Sequence, residues 1–516
     1  MSIVMNGPVL AHGMTIAELY ERDGLTRLDG HFLTHLSEAD TALHGRLLAA
    51  RQIPPPARDE AALLVALAPH VEDFVAQLFG IRAEMQALAA RHHDLAPLFA
   101  CKRLFVQRRA LKAYGPAAAE GFDGGSLSEA LEARFGEPLT EASFSRHVMA
   151  WMDHEKDEAE MLDLAARYAA WALHTAPGRF RHAGGALFSV PGKHDPLHLV
   201  PGEVVEVAGV PALGLPHDLQ RRRQGFDLTD RGTDLRGALD QVHYCILCHH
   251  QGKDSCSKGM PDKKGEGRFA RNPLGTAMTG CPLEEKISEM HEVKGQGLAV
   301  SALAMAVVDN PMVAGTGHRI CNDCMAACIY QNQLKDPVDI PQAETRTLKD
   351  VLALPWGFEI YSLLTRWNPL NLRRPLPRPE SGRSVLVVGL GPAGYTLAYH
   401  LMQDGHTVVA VDGLKIEPLP PELSGVAADG RHVPFHAIRD IQELLESLGQ
   451  RVNAGFGGVA EYGITVRWDK NFLKIIRLLL ERRGTFAMFG GVRFGGTLTA
   501  GQAFAMGFDH IALCMG

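Results

Sequence analysis

Ser384-Val385-Leu386-Val387-Val388-Gly389-Leu390-Gly391-Pro392-Ala393-Gly394 decides how the C-terminal part of this chain folds. The run Ser384–Val388 is short, apolar and β-branched, the pattern of a strand buried in a parallel sheet, and Tyr395-Thr396-Leu397-Ala398-Tyr399-His400-Leu401 continues it as a helix. Between them, Gly389 permits the tight turn, Gly391 lets the backbone approach a pyrophosphate, and Gly394 packs the helix on the strand. A diphosphate then sits at the positive helix N-terminus. Gly405 and His406 end the helix, and Thr407–Val411 reads as the next strand. It closes on Asp412, about 20 residues beyond the glycines, where a carboxylate can bind ribose hydroxyls. Glycine turns are common, but a strand before, a helix after and an acid at this spacing point to a dinucleotide site.

Upstream lies a Pro- and Arg-rich linker, Arg373-Arg374-Pro375-Leu376-Pro377-Arg378-Pro379-Glu380-Ser381-Gly382, which resists regular structure and marks a domain boundary. Before it, seven of the nine cysteines crowd between Cys245 and Cys328. Their spacing is Cys245-x2-Cys248-x7-Cys256-x24-Cys281-Pro282, then Cys321-x2-Cys324-x3-Cys328. That is not a disulfide density for so long a chain; it points to metal. Short Cys-x2-Cys pairs, a Cys-Pro and a distant second group suit two iron–sulfur clusters with crossed ligands. Seven thiolates cannot complete two four-ligand clusters, so one ligand is something else or one site is open. His249 and His250 adjoin the first pair, and a histidine replacing Cys256 is the rival assignment. Zinc is the other alternative, since two Cys-x2-Cys pairs also suit tetrahedral sites. Cys101 and Cys514 stand outside the constellation and read as buried apolar residues.

From Met1 to about Phe180 the pattern is helical. Leu64, Leu67, Val71, Phe74, Val75, Leu78, Met85 and Leu88 recur at three- and four-residue steps, with Asp59 as an N-cap and Pro69 starting a second helix or kinking the first. Helices are expected around Ser126–Phe135 and Glu141–His174, and short strands between Gly184 and Pro216, including Leu197–Val200 and Val204–Val207. The charge run His154–Glu160 reads as a solvated face.

The chain has 516 residues, 46% hydrophobic and 22% charged, enough for roughly three domains. A net charge of −7 gives no sign of nucleic acid or an anionic membrane as partner. Residues 1–14 lack a signal-peptide pattern, and no uninterrupted apolar stretch reaches spanning length, so a soluble, cytoplasmic protein is expected.

The Gly-Pro-Ala-Gly turn resembles the FAD-binding domain of the glutamate synthase small-subunit family. Gly457-Gly458-Val459-Ala460-Glu461-Tyr462-Gly463-Ile464 is similar to that family's loop beside the flavin, and Phe508–Gly516 to the strand closing its first flavin segment. The cysteine region resembles the same family and the N-terminal domain of dihydropyrimidine dehydrogenase, where Asp336-Pro337-Val338-Asp339-Ile340-Pro341-Gln342-Ala343-Glu344 matches a stretch carrying a non-cysteine ligand. The chain departs from that pattern in the 24 residues between Cys256 and Cys281, whose Lys258, Lys263, Lys264, Arg268 and Arg271 read as a solvated loop or a surface for an acidic electron partner.

The resemblance implies FAD at Gly389, Gly391, Pro392, Ala393, Gly394, Asp412, Gly458, Tyr462, Gly463 and Ile464. It implies one [4Fe–4S] cluster on Cys245, Cys248, Cys256 and Cys328 and another on Cys281, Cys321, Cys324 and Glu344. NAD(P)H is the implied donor, and a protein acceptor or partner subunit receives the electrons. The expected fold is multidomain: a mostly helical region 1–235 of unassigned role, an α-helical two-cluster ferredoxin-like domain 236–372, a linker 373–383, and a partial α/β Rossmann-type FAD-binding domain 384–516. In the family an NAD(P)H-binding unit follows, so the flavin domain is expected to be truncated before it. A non-catalytic iron–sulfur docking subunit and a zinc-stabilised interaction module are the alternative functions. No catalytic residue stands out.

Overall fold

The computed structural model describes residues 9–515 other than 201, 263, 264, 266, 318, 319 and 464–466, and the backbone alone at 218. Lys263, Lys264, Ile464 and Gly516 thus lie outside the described residues.

Helices build the first part: Arg22–Ala39, Thr41–Gln52, Ala57–Phe79 and Arg82–Cys101. Leu64, Leu67, Val71, Phe74, Val75 and Leu78 are all buried along Ala57–Phe79, so the apolar periodicity marks its core face. Two expectations change here. The helix begins at Ala57 behind Pro56, which places Asp59 in the first turn, where its charge favours the helix dipole rather than capping it. Pro69 stays inside one unbroken helix. By length and composition this helix is apolar enough to cross a membrane, yet 56% of its most apolar window is buried in the protein.

Its neighbours explain that burial. Ser301 Oγ donates to the Ala68 carbonyl at 2.6 Å, and the Ser301 amide donates to Glu72 Oε2 at 2.7 Å, fixing Ala57–Phe79 against the helix Ala299–Asp309. Trp367 Nε1 donates to Asp29 Oδ1 at 3.0 Å, tying Arg22–Ala39 to the end of the helix Gly357–Arg366. One apolar core therefore runs from Leu28, Phe32 and Phe74 through Leu303 and Leu363 to Val385 and Val408. A second core, around Phe105, Phe144, Tyr168 and Leu187, belongs to the helices that follow.

In that second group, Gly124–Phe135 is capped by Asp123, whose Oδ1 accepts the Gly125 amide at 3.0 Å. The expected span 141–174 is two helices, Glu141–Asp153 and Ala159–His174. The charged residues His154, Glu155, Lys156 and Asp157 lie exposed in the turn between them. Strands β1 (Glu203–Val207) and β2 (Val210–Gly214) form an exposed antiparallel hairpin, whereas Leu197–Val200 is irregular.

The C-terminal part carries β3 (Ser384–Val388), β4 (Thr407–Val411), β5 (Phe486–Phe489) and β6 (His510–Leu513) in one parallel sheet ordered β5-β4-β3-β6. Val385, Leu386, Val387 and Val388 are all buried, as expected of a strand covered on both faces. Helices Pro392–Gln403 and Asn471–Glu481 pack on it. The preceding Pro-rich segment has no helix or strand but is pinned to the sheet layer: the Arg378 amide donates to the Gln403 carbonyl at 2.9 Å, and the Ser381 amide to the Gly405 carbonyl at 2.8 Å.

Candidate functional site

The seven clustered cysteines separate into two sets. Helix Leu235–Tyr244 delivers Cys245 at its C-cap, a short turn carries Cys248, helix Ser255–Lys258 carries Cys256, and Cys328 follows helix Asp323–Ala327. All four line one cavity, closed by Ile246, Ile287, Val338 and Ile340. Backbone N–H groups are aimed at these sulfurs: Leu247 at Cys245, Ser255 at Cys248, and Tyr330 and Val338 at Cys328. Amide donors favour a charged sulfur, but burial outweighs them while the thiols are neutral. It pushes Cys245 up to about 12 and Cys248 to about 11. Such thiols ionise only when a cation joins them. Asp254, not anticipated from sequence, reaches this set; Cys256 Sγ donates to its Oδ1 at 3.0 Å. Tyr244 and Tyr330 stack beside it, ring centroids 4.3 Å apart.

Cys281, Cys321 and Cys324 make the second set. The amides of Leu283 and Glu285 point at Cys281, and that of Asp323 at Cys321. Cys324 is buried, and the carboxyl groups of Glu344 and Glu285 both act on it. Glu344, on helix Ile340–Leu352, accepts from Asn310 Nδ2 at 3.1 Å and bonds Glu285. Burial, and then the neighbouring Glu285, hold its carboxyl well above the usual range. The structure therefore brings Glu344 to the thiols with which it was grouped. Glu285 had given no signal, because Glu284-Glu285-Lys286 reads as a surface charge run.

The long stretch between Cys256 and Cys281 does not separate them. It leaves and returns as a closed excursion, with the Met260 amide donating to the Met278 carbonyl at 2.9 Å and the Cys281 amide to the Cys256 carbonyl at 2.9 Å. A Cβ on Gly280 would lie 2.4 Å from the Gly259 amide nitrogen, so only glycine allows the two limbs to meet. Lys258, Arg268 and Arg271 lie exposed on it. The histidine rival for Cys256 finds no support. His249 Nδ1 is 2.6 Å from Ser288 Oγ and its Nε2 is 2.9 Å from Glu292 Oε2, so both ring nitrogens are committed elsewhere; His250 Nε2 joins the same carboxylate at 2.7 Å. Cys101 is buried in the second core, and Cys514 is half-buried behind the glycine turn.

At that turn, Gly389 has φ +97°, and its amide donates to the Val411 carbonyl at 2.7 Å. A Cβ on Gly394 would lie 1.8 Å from the Gly389 carbonyl oxygen, which accounts for the third glycine. Gly391 faces the second loop: a Cβ on Gly458 would come within 2.8 Å of the Gly391 Cα. Pro392 and Ala393 start the helix. Asp412 stands at the end of β4 but is already engaged, Oδ2 accepting the Leu390 amide at 3.0 Å and Oδ1 the Leu414 amide at 2.9 Å. Tyr462 is 44% exposed at the loop rim beside Gly463, and its continuation Ile464 is outside the described residues. The loop thus lies against the turn.

The second thiol set is joined to this region. The Cys321 amide donates to the Thr316 carbonyl at 3.2 Å, closing helix Val313–Thr316, and a Cβ on Gly315 of that helix would lie 2.6 Å from Tyr395 Oη on the glycine-turn helix. Trp468 Nε1 donates to the Ala314 carbonyl at 3.1 Å.

Residues 10–80 match a family described as the RP005 N-terminal alpha-helical domain. The uncharacterized protein RP006 of Rickettsia prowazekii is 52% identical over 205 residues, 40% of this chain and 27% of that protein, so the chain spans about a quarter of that relative's length. The glutamate synthase [NADPH] small chain of Mycobacterium tuberculosis is 32% identical over 134 residues, 26% of this chain and 24% of that one. This is a partial similarity to an oxidoreductase subunit. The uncharacterized protein RP005 of Rickettsia prowazekii is 32% identical over 289 residues, covering 53% of this chain and 95% of that protein. With nearly the whole of that relative matched, the chain belongs to the RP005 family.

Proposed function

We propose that the chain is an electron-transfer oxidoreductase in which a flavin on the glycine turn exchanges electrons with two [4Fe–4S] clusters, one on each cysteine set. The observation that carries this reading is the separation of seven thiols into two sets, with Cys256, Cys324 and Cys328 buried, Cys245, Cys248 and Cys281 half-buried and Cys321 exposed, and backbone N–H donors aimed at the sulfurs of Cys245, Cys248, Cys281, Cys321 and Cys328. Hydrogen bonds to cluster sulfurs tune potential and suit thiolates, not neutral thiols. When bound, a flavin takes two electrons as a hydride and releases them singly to one-electron clusters.

The chain's own residues divide the work. In a Rossmann-type domain 384–516, Gly389, Gly391 and Gly394 hold the turn open to a pyrophosphate, and Asp412 fixes its shape through the Leu390 amide. In a ferredoxin-like domain 236–372, Cys245, Cys248, Cys256 and Cys328 hold one cluster, and Cys281, Cys321 and Cys324 with a carboxylate hold the other. The contact between Gly315 and Tyr395 supports the second set as the one nearer the flavin, with the first set as the exit toward a protein acceptor. NAD(P)H is the proposed donor.

Zinc fits less well. Tetrahedral zinc at about 2.3 Å from sulfur needs thiols about 3.8 Å apart. Among the described residues, three metal-binding atoms meet within 4.8 Å of one another at His249, His250 and Glu292, and no three thiols do. The test is an anaerobic dithionite titration of reconstituted protein, followed by electron paramagnetic resonance and flavin absorbance. Two cluster signals and a bleaching flavin are expected; an unreducible, colourless protein would overturn the reading.

A further inference from the structure

Three thiols face two carboxyl groups at the second set, one more donor than a four-cornered cluster uses. The resemblance to known families selects Glu344 as the oxygen ligand, but its surroundings are those of a supporting residue. Its Oε1 is occupied by Asn310 Nδ2 at 3.1 Å, and its carboxyl is hydrogen-bonded to Glu285. Asn310 is itself held at Thr316 Oγ1, 2.6 Å away. Glu285 shares Asn310 and Glu344 as hydrogen-bond partners through one carboxyl oxygen and leaves the other open. It is 8% exposed, and its Oε1 is buried with no hydrogen-bond partner. Its own amide points at the Cys281 sulfur, four residues earlier in the chain, and its carboxyl acts on Cys281, Cys321 and Cys324 alike.

An unpartnered carboxylate oxygen buried among thiols is costly unless a cation completes it. We propose that Glu285 supplies the oxygen ligand of the group held by Cys281, Cys321 and Cys324, and that Glu344, braced by Asn310, orients Glu285 from behind. The order of the chain suits this, since Cys281-x3-Glu285 places ligand and carboxylate on one turn of backbone opening the helix Ile287–Gly295. The inference rests on the cluster reading above and sharpens it.

The test compares Glu285→Ala and Glu344→Ala in the full chain, reconstituted anaerobically with iron and sulfide. Loss of one ligand from a four-iron cluster frees one iron and leaves a three-iron cluster with its own signal in the oxidised state. Glu285→Ala is expected to show that signal at about one spin per chain, with the first set's reduced signal unchanged. Four irons retained at both sites in Glu285→Ala overturns the proposal, whatever Glu344→Ala does. If Glu285→Ala loses the second cluster altogether, Glu285→Gln decides: a neutral ligand in place of an anion raises one midpoint potential and leaves the other alone, and two unshifted potentials overturn the proposal. An unsubstituted protein without acid-labile sulfide overturns the cluster reading and this inference together.

Discussion

Arg482 Nη1 lies 2.9 Å from Glu359 Oε1, in an ion pair whose side chains are 0% and 2% exposed. The same Oε1 accepts the Ile438 amide at 2.8 Å, and Tyr20 Oη donates to Oε2 at 3.3 Å. One carboxylate thus joins the N-terminal helices, the cysteine-bearing region and the layer behind the parallel sheet. Removing one partner leaves the other charged and buried, which typically costs about 3–5 kcal/mol. Glu359→Ala is therefore expected to lower unfolding free energy by that amount in a denaturant titration, and a change below about 1 kcal/mol would show that the node does not hold these segments together.

The glycine turn makes a second expectation. Because a Cβ on Gly394 would lie 1.8 Å from the Gly389 carbonyl oxygen, Gly394→Ala must displace the turn on which the flavin is proposed to bind. Bound flavin is expected to fall to less than about a tenth of the unsubstituted level, with iron content unchanged. Flavin absorbance and iron analysis on the same sample check both halves. Flavin retained at full occupancy would place its site elsewhere.

His249 and Cys256 are separable by substitution. With both ring nitrogens of His249 engaged by Ser288 and Glu292, His249→Ala is expected to leave iron and sulfide stoichiometry intact. Cys256→Ser is expected to lower the first set's iron content and to change its reduced signal. Iron loss from His249→Ala would restore the histidine as a ligand.

Glu72 gives a pH dependence away from the thiols. Burial raises its carboxyl from 4.5 to about 7, against the opposing Ser301 and Val300 amides. With the folded-state value above the unfolded one, the folded protein binds the proton more tightly. The stabilisation is complete below about pH 4.5 and is lost as pH rises through about 7. Glu72→Gln removes this dependence, so the unsubstituted protein is expected to lose up to ~3 kcal/mol relative to the variant between pH 5 and pH 8. Thermal melts at the two values measure it, and a constant difference would contradict it.

Where physics is local, the sequence was legible. Ser384–Val388, the glycines and Thr407–Val411 each declare their conformation within a few residues, and the sheet follows from them. The short Cys-x2-Cys spacings likewise foretold thiols that gather, as Cys245 and Cys248 do on one cavity. What stayed hidden was set by distant contacts. Glu285 looks like a solvent charge until Asn310 and Glu344 close over it, and Pro69 looks like a helix breaker until Ala299–Asp309 packs against that helix. The 24 residues after Cys256 read as an interruption because a loop's sequence does not show that its two ends meet. Asp412 stands at its expected place just after β4, but only the fold reveals that it braces Leu390. Residues 10–88 were read as part of a separate helical region, yet they share the core of the sheet, since helical periodicity marks a buried face without naming what covers it.

Two clusters and one flavin on a single chain can be counted, and the count is decisive. Anaerobically reconstituted protein should contain about eight irons and eight acid-labile sulfides per chain, with one FAD. Two to four irons with matching sulfide would leave one cysteine set without its cluster. Zinc in place of iron, with no labile sulfide, would contradict the account.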